Sequence, residues 1–464
     1  MKLGDLRKKH PKFIYENYSY KISKNNLEIF FDFKIEPDIF FKPKIIIENI
    51  DESRIKRIGD KILNNLVFNL GLIEMISYWK ATCSKAIEIK PGYLNQSQIR
   101  WWKYLIKNGM GQFFYENKLD FKIVDSLNII SNNNKAKDFE VFEQKLSNKI
   151  LTPVGGGKDS IVSLEMLKKS KYDNFCFSLN PTDNVKKIFK IAECKNHIIV
   201  KRKIDSKLLE LNRKGFLNGH TPFSAYLAFL TVLIGVVFDI KYIAFSNERS
   251  SNEGNVKYLG KIINHQYSKS FDFENKFRNY SKKYLIKDIE YFSFLRPLYE
   301  IQIGKWFSKY FKKYGNVFLS CNEAYKTHSG KRRQIKKWCC QCSKCLFVFA
   351  VLYPFVKSNE LIKIFGKNLF EKKELLNLMK ELIGERRFKP FECVGTKKES
   401  LIAFYLSLKK AKKEGKELPY LLKHFEDKIL TKYPNLEKES GRLMNSWSGQ
   451  NSLALKFRAL IKTR

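Results

Sequence analysis

Residues 150–167, ILTPVGGGKDSIVSLEML, decide the fold, because an apolar segment, three glycines and a helical pattern follow one another directly. They predict a strand over Ile150–Val154 and a helix over Ser160–Leu167. Glycines at such a junction let the backbone approach a phosphate, and the helix N-terminus adds free N–H donors. The predicted phosphate-binding loop comprises Gly155, Gly156, Gly157, Lys158, Asp159 and Ser160. A tight turn without a ligand is the alternative.

The last residues of this loop distinguish it from other nucleotide-binding loops. It is not a Walker A loop, because Asp159 follows Gly157-Lys158. It is similar to the S-G-G-x-D-S loop of the PP-loop, or N-type, ATP pyrophosphatases, with Gly155 in place of the first serine. Those enzymes split ATP between the α and β phosphates and transfer AMP to a substrate oxygen. Here Ser160 can donate a hydroxyl hydrogen bond, and Asp159 can hold Mg²⁺ or position the loop.

Strand-like segments alternate with helical ones beyond the loop, at Phe175–Leu179, Ile198–Lys201 and Tyr242–Phe245. This alternation predicts a doubly wound parallel α/β sheet, here of the PP-loop ATP pyrophosphatase type, with ligands beyond the carboxyl ends of its strands. The uncharged run Pro222–Phe238 is just short of the roughly 20 residues of a membrane span. We expect a buried helix there and no membrane span.

The chain on either side of this sheet predicts two further regions. Residues 15–50 alternate apolar and polar side chains, which predicts hairpin strands, and residues 56–117 predict helices. The polar stretch Ser131–Lys135 predicts a linker, and the chain after about Pro354 predicts helices. The expected organisation is an N-terminal α+β region over 1–140, a PP-loop ATP-binding α/β domain with a cysteine cluster over 141–355, and a helical C-terminal region over 356–464.

Composition indicates a protein that binds anionic ligands, but it does not identify the substrate. The 464 residues carry 87 Lys+Arg against 47 Asp+Glu, a formal charge of +40, which favours anionic ligands. The charge forms no arm or tail, so it does not decide between a tRNA and a small nucleotide, and a lysine-rich surface alone would explain it. The start of the chain has no apolar signal segment, so we expect a cytoplasmic protein. Its nine cysteines should then be thiols or metal ligands and not disulfides.

A cysteine cluster is the second motif. Cys339, Cys342 and Cys345 follow a C-x-x-C-x-x-C spacing, and Cys321 lies upstream, so four thiolates are available for a tetrahedral, structural Zn²⁺. Cys340 is a spare that can substitute for Cys339. A similar late cysteine cluster binds structural zinc in a PP-loop enzyme of 7-deazaguanine synthesis. Unliganded buried thiols and thiol acid/base catalysis are the alternatives.

Polar motifs next to predicted element ends supply further candidates. Within Ser246–Ser250, Asn247 joins Glu248, which suits Mg²⁺ or a ribose hydroxyl, and Arg249, which suits a carboxylate or phosphate. His265, in Asn264-His265-Gln266, suits general acid/base work. The segment KPFECVG, residues 389–395, interrupts the helical tail. The simpler interpretations are a solvated ion pair and a plain turn.

Taken together, these motifs resemble the MurL-type UDP-N-acetylmuramoyl-L-alanyl-L-glutamate epimerases. The matching segments span roughly residues 100 to 400 and are Gly155–Ser160, Ser246–Ser250, Asn264–Gln266, Trp338–Cys345 and Lys389–Gly395. Cys340 stands where the pattern has glycine, and the positive charge exceeds what we expect of this family. The resemblance implies an isomerase that uses ATP and Mg²⁺ to convert the terminal L-glutamate of the UDP-muramoyl dipeptide to D-glutamate, forming AMP and diphosphate. It also implies a separate L-glutamate-adding ligase, and a role in peptidoglycan synthesis, cell-wall biogenesis, cell shape and cell division.

Such chemistry needs an acid/base pair. Adenylylation neutralises the glutamate carboxylate, which makes its α-proton easier to remove. Glu392, Cys393 and His265 are the candidates, as titratable residues inside matching motifs, and Asn247, Glu248 and Arg249 are the candidates for binding substrate or nucleotide. The competing hypothesis is a PP-loop enzyme that adenylylates a tRNA base for thiolation or lysidine-type modification. No recognisable RNA-binding module supports it, which argues against a nucleic-acid partner. A non-catalytic nucleotide-binding protein is the third hypothesis.

Overall fold

One large mixed sheet organises the fold. In this computed structural model, which describes residues 2–131, 139–325, 327–328, 331–332, 337–415 and 417–462, eleven strands form that sheet and two short hairpins lie outside it. The strands are β1 Lys12–Ser23, β2 Asn26–Ile35, β3 Ile39–Phe41, β4 Lys44–Ile47, β5 Ala86–Ile89, β6 Asn128–Ser131, β7 Ile150–Pro153, β8 Asn174–Leu179, β9 Asn196–Lys203, β10 Tyr242–Phe245, β11 Val256–Tyr258, β12 Lys261–Ile263, β13 Glu290–Ser293, β14 Thr327–His328 and β15 Lys331–Arg332.

Helices cover the sheet and form the C-terminal part of the chain. They are α1 Leu3–Lys9, α2 Glu52–Ile58, α3 Asp60–Trp79, α4 Gln96–Gly109, α5 Gly111–Glu116, α6 Lys158–Leu167, α7 Asp183–Ile191, α8 Ser206–Arg213, α9 Phe223–Val237, α10 Phe271–Tyr284, α11 Glu300–Ser308, α12 Phe311–Tyr314, α13 Asn322–Tyr325, α14 Ser343–Leu352, α15 Ser358–Phe365, α16 Leu376–Ile383, α17 Lys397–Lys413, α18 Tyr420–Lys428, α19 Leu436–Met444 and α20 Leu455–Lys462. The predicted helical character after Pro354 is confirmed by α15 to α20.

The sheet is mixed: five strands at one end form a parallel block, and the N-terminal strands form both parallel and antiparallel pairs. Five strands lie side by side in the order β13, β10, β7, β8 and β9, and each neighbouring pair is parallel. Strand β9 then pairs antiparallel with β4, and the N-terminal strands β2, β1, β5 and β6 continue the same sheet. The predicted parallel strands are therefore one part of a larger mixed sheet, which also includes the N-terminal strands.

The N-terminal elements agree with the prediction except at one strand. The expected hairpin is confirmed, because β1 and β2 pair antiparallel around Lys24-Asn25, both with positive φ, as in a two-residue hairpin turn. The helical prediction over 56–117 was wrong at β5, whose residues Ile87 and Ile89 alternate into the core. The predicted linker falls mostly on residues 132–138, outside the described residues.

Two apolar cores lie on opposite faces of the sheet. Alternate residues of one strand point to opposite faces, and Leu151 belongs to one core while Ile150 belongs to the other. Helices α3 and α9 pack together on the first face, and α6, α11 and α14 contribute to the second core. The buried helix predicted at Pro222–Phe238 is confirmed as α9. Within the described residues, no helix is both long and apolar enough to cross a membrane.

Two cysteines depart from the expected chemistry. Cys176 on β8 and Cys194, in the turn before β9, form a disulfide. Their Cα atoms lie 6.2 Å apart, because neighbouring elements bring them together, and this spacing suits a disulfide. The expectation that the cysteines are all thiols or metal ligands was therefore wrong for this pair.

Candidate functional site

The glycine loop joins β7 to α6 at the carboxyl edge of the parallel strands. Gly156 has φ +92°, a conformation that favours glycine. A Cβ on Gly157 would lie 3.3 Å from the Ser320 Cβ, whereas a Cβ on Gly155 would meet nothing within 4 Å. Sterics therefore favour glycine at two positions, and the third has room for the serine found in the related loop. The Ser160 hydroxyl donates to the Gly157 carbonyl at 3.0 Å.

A cavity of about 660 Å³ opens beside this loop, at the ends of β7, β8 and β10. Its polar wall includes Asp159, Ser160, Asn247, Glu248 and Lys269. The opposite wall is largely apolar, with Phe177, Leu179, Phe223 and Leu227. Ser246 also lines the cavity, and its buried hydroxyl has no hydrogen-bond partner among the described residues. The cavity therefore has polar groups that suit phosphates on one wall and an apolar surface that suits a nucleobase on the other.

Three carboxylates meet next to the loop. One oxygen each of Asp159, Glu248 and Glu300 lies within 4.8 Å of the others. Lys158, which is buried, donates to both Asp159 and Glu300, and the Lys344 Nζ lies 3.7 Å from a Glu300 oxygen. Oxygen donors of this kind suit Mg²⁺, so the residues present fit a divalent cation.

The charges of this group are strongly coupled. Burial would raise the pKa of Glu300, but Lys158 and Lys344 outweigh burial and hold it at about 2. Burial, then the negative charge of Glu300, raises the pKa of Glu248 to about 7. Burial and Glu300 also raise the pKa of Asp159. The raised pKa values of Glu248 and Asp159 show that burial and mutual repulsion disfavour their ionised forms, so a bound cation would stabilise them.

Cys393 lies beside this group, whereas Glu392 points elsewhere. The Lys269 Nζ is 3.2 Å from the Cys393 Sγ. Burial would lower the pKa of Lys269, but Cys393 and Glu248 outweigh burial and hold it above its usual range. The Glu392 carboxylate instead accepts hydrogen bonds from Ser343 Oγ at 2.7 Å and Lys344 N at 2.6 Å, in the first turn of α14. Of the two neighbours, Cys393 is the one that faces the cavity lysine.

His265 lies in a buried polar group next to Lys269. Its Nδ1 is hydrogen-bonded to Gln112, and its ring centre lies 4.6 Å from that of His220. Burial, then Lys269 and Lys389, lowers the pKa of His265 to about 3, so the imidazole is neutral. Burial, then His265, lowers the pKa of His220 in the same way, and no described residue pairs with its buried Nε2. His220 is thus a second candidate, in a Gly-His-Thr-Pro motif visible in the sequence.

The two other predicted binding residues differ in position. Asn247 is buried, and its amide donates to Ser293 Oγ at 3.0 Å. The Arg249 guanidinium stacks 4.4 Å from the centre of the Tyr299 ring, and Arg249 is not among the described residues that line the cavity. Of the described residues of this motif, Ser246, Asn247 and Glu248 reach the cavity wall.

A buried arginine that the motifs did not reveal holds this region together. Arg296 donates to the Glu248 carbonyl at 2.7 Å and to the Lys269 carbonyl, and pairs with Glu274 at 3.2 Å. It therefore fixes two cavity residues from separate loops. Glu300, Lys269 and Lys344 also escaped the motif analysis. Glu300 has a sequence signal, since it begins the helix that follows β13.

The cysteine cluster forms a compact group. The sulfurs of Cys321, Cys339, Cys342 and Cys345 lie within 4.8 Å of one another, with Cys345 at 3.6 Å from Cys339 and 3.5 Å from Cys342. Zn–S bonds of about 2.3 Å in a tetrahedron place sulfurs about 3.8 Å apart, so this donor set fits zinc. Cys340 is not a substitute for Cys339: its φ is +57°, which explains the glycine of the pattern, and its Sγ contacts the Phe365 carbonyl at 3.2 Å.

Comparison with known proteins gives a consistent match. Residues 5–294 match the family model of the MurL N-terminal domain, and residues 317–436 match that of the MurL C-terminal domain. Three similar curated proteins are each named UDP-N-acetyl-alpha-D-muramoyl-L-alanyl-L-glutamate epimerase. That of a Micromonospora species is 32% identical over 338 residues, 73% of each chain. That of Salinispora tropica is 33% identical over 337 residues, 73% of this chain and 72% of the relative. That of Xanthomonas oryzae pv. oryzae is 32% identical over 336 residues, 72% of each.

Proposed function

We propose, since this chain belongs to the MurL family of UDP-N-acetylmuramoyl-L-alanyl-L-glutamate epimerases, that it inverts the terminal L-glutamate of that dipeptide precursor by way of an adenylylated carboxylate. The observation that carries the adenylylation step is the shared cavity. The glycine loop at a helix N-terminus, the carboxylates of Asp159 and Glu248, and Lys269 all border one space of nucleotide size, and the carboxylate of Glu300 lies within 4.8 Å of the other two. We assign the loop and the five parallel strands to the PP-loop type of ATP pyrophosphatase.

The proposed ATP site uses each part of the cavity for a different portion of the nucleotide. Backbone N–H groups of Gly155 to Gly157 and the Ser160 hydroxyl bind the phosphates, and the apolar wall accepts the base. Asp159, Glu248 and Glu300 would hold Mg²⁺, which neutralises charge on the phosphates. The glutamate carboxylate attacks the α phosphorus, the bond to the β phosphate breaks, and diphosphate leaves.

The proposed epimerisation step follows from the neutralised carboxylate. The ester-like carbonyl accepts the electron pair that the departing α-proton leaves behind, and a free carboxylate cannot do so readily. Cys393, next to Lys269, and His265, as a neutral imidazole, are the two proton-transfer groups that the geometry favours. Glu392 holds the Cys393 segment against α14. Water then cleaves the anhydride and releases AMP.

We also propose where the protein acts and which reaction precedes it. It would act in the cytoplasm, where ATP and a UDP-linked precursor meet, and after a ligase that adds L-glutamate to the muramoyl chain. Zinc at the four cysteines would be structural, because no described cysteine of the group lines the cavity.

Release of AMP tests the adenylylation step. The protein is incubated with ATP, Mg²⁺ and the UDP-muramoyl-L-Ala-L-Glu precursor, and AMP and diphosphate are measured. UDP-muramoyl-L-Ala, which lacks the glutamate, and tRNA are the matched controls. We expect AMP only with the full precursor. AMP that depends on tRNA, or that forms equally without glutamate, would refute the proposal.

A further inference from the structure

We propose that the four-cysteine group, with zinc bound, is a positioning centre that sets the phosphate loop and the Cys393 segment in register across the active site. This role rests on the proposed function, because it assumes that the loop binds ATP and that Cys393 transfers a proton. The group consists of Cys321, Cys339, Cys342 and Cys345. It lies outside the cavity, yet both sides of the cavity are attached to it through short, direct contacts.

The first attachment runs from Cys321 to the glycine loop. Leu319 N donates to the Gly156 carbonyl at 2.9 Å. The Ser320 Cβ lies 3.3 Å from the position that a Gly157 Cβ would occupy, so this segment packs directly against the loop. The next residue in the chain is Cys321. Holding the Cys321 sulfur therefore holds the backbone that supports Gly156 and Gly157.

The second attachment runs from Cys342 and Cys345 to Cys393. Cys342 precedes α14, and Cys345 lies in its first turn. Between them, Ser343 and Lys344 hydrogen-bond the Glu392 carboxylate at 2.7 and 2.6 Å. The Lys344 Nζ donates to the Cys393 carbonyl and also lies 3.7 Å from Glu300 of the carboxylate group. The turn that carries two sulfurs thus holds the Glu392 side chain and the Cys393 carbonyl in place.

One ion joins these two attachments. Its four ligands come from the end of the 317–321 segment and from the 338–345 turn, which are separate in sequence and are brought together at the sulfurs. A change at the sulfurs therefore reaches the phosphate loop in one direction and Cys393 in the other. Cys340 offers an internal control, because it lies in the same turn while its Sγ faces the Phe365 carbonyl.

The test compares the full-length zinc-bound protein with the same protein stripped by a chelator. Zinc content, binding of a non-hydrolysable ATP analogue, and hydrogen–deuterium exchange of individual peptides are measured. We expect one zinc per chain. We expect its removal to weaken analogue binding about tenfold or more and to speed exchange in peptides covering 155–160 and 389–395, while β1–β2 peptides stay unchanged. Cys340→Ser should keep zinc and behave as the wild type.

A second variant tests the Cys393 attachment on its own. It keeps its zinc, so it remains informative even if the stripped protein unfolds. Glu392→Gln should retain zinc and keep KM for ATP within about twofold. It should lower kcat for α-proton exchange about tenfold and speed deuterium exchange at 389–395 only. A Glu392 that acts only as a proton-transfer group would lower kcat without changing peptide exchange, which would overturn the second attachment.

Two further results would overturn the proposal as a whole. One is a protein that contains no zinc as purified. The other is a folded, stripped protein with unchanged analogue binding and unchanged exchange in both loops. Peptide exchange and analogue binding need no epimerisation. A failure of the proposed reaction therefore stays distinguishable from a failure of the positioning role.

Discussion

Lys158 is the cation closest to the carboxylates of the cavity, and it is almost fully buried. Removing one partner of a buried ion pair leaves charge without compensation, which costs about 3–5 kcal/mol. We expect Lys158→Met to lower the free energy of unfolding by that amount in urea titration. Mg²⁺ should restore part of the loss, because a bound cation replaces the missing charge.

Lys168→Met is the control for this variant, because Lys168 lies at the exposed end of the same helix and pairs only at 3.9–4.0 Å with Glu165 and Glu193. It should change stability by less than about 0.5 kcal/mol. A Lys158→Met protein as stable as the wild type and insensitive to Mg²⁺ would contradict the charge account.

Asp159 and Ser160 of the loop should be needed for the chemistry and not for the fold. Asp159→Ala and Ser160→Ala are each expected to abolish AMP and diphosphate release, because the lost groups serve the metal ion and the phosphates. Ser163→Ala, one turn further along α6 with a hydroxyl that faces the core, is the control. Circular dichroism checks the fold. Wild-type turnover in either loop variant would refute the loop assignment.

The proton-transfer residues should separate the two halves of the reaction. Cys393→Ser and His265→Asn are expected to form AMP yet to lose incorporation of solvent deuterium at the glutamate Cα by about 10²–10⁴-fold. Mass spectrometry of glutamate, with AMP measured in parallel, makes the comparison. His424→Asn, on the C-terminal helix α18, is the control. Equal losses of AMP and deuterium would assign these residues to binding instead.

For individual residues, the sequence predicts a role when the residue belongs to one contiguous motif. The phosphate loop is recognisable because its glycines, Asp159 and Ser160 are contiguous, and Gly156 indeed needs its positive φ. Lys269, Glu300 and Arg296 belong to no such run. Their roles arise because separate loops meet at one edge of the sheet. The spacing of these residues along the chain does not predict that they meet.

Helix α17 begins with a capping box in which Thr396 and Glu399 bond each other's backbone N–H. Burial raises the pKa of Glu399 from 4.5 to about 7. A carboxyl with a raised folded-state pKa contributes stability that is fully present below pH 4.5 and is lost as pH rises through about 7.

Glu399→Gln removes this titration. Between pH 4.5 and pH 8, the free energy of unfolding of the wild type should therefore fall by about 3 kcal/mol relative to that of the variant. Urea unfolding at several pH values measures it. A difference that does not change with pH would show that Glu399 keeps its ordinary pKa in the folded protein.

Element prediction succeeded where an apolar run was nearly continuous. Strands β7, β8, β9 and β10 and helix α9 all lie where the apolar segments predict them. Strand β5 was missed because it stands between two long helices and its buried residues alternate with partly exposed ones, so it forms no continuous apolar run. At Cys340 the residue type differs from the glycine of the pattern, but the backbone still has the positive φ that favours glycine.

The whole molecule is built on a sheet that the sequence did not reveal as continuous. Strand β4 pairs with β9, and across this junction Arg202 on β9 makes two 2.8 Å hydrogen bonds to the buried Glu74 of α3. The N-terminal region therefore stiffens the strand that ends at the cavity wall. Local patterns of hydrophobicity indicate that β4 and β9 are strands, but they do not indicate that these two distant strands pair with each other.

The central claim is that this molecule inverts a glutamate stereocentre after adenylylation, and one measurement addresses it directly. The protein is incubated in D₂O with ATP, Mg²⁺ and UDP-muramoyl-L-Ala-L-Glu, and the glutamate is then released for chiral chromatography and mass spectrometry. We predict D-glutamate that carries deuterium at Cα, since the centre inverts only through loss and return of that proton, with AMP formed only when the precursor is present. L-glutamate without deuterium, no precursor-dependent AMP, and ATP cleavage stimulated by tRNA would contradict the account.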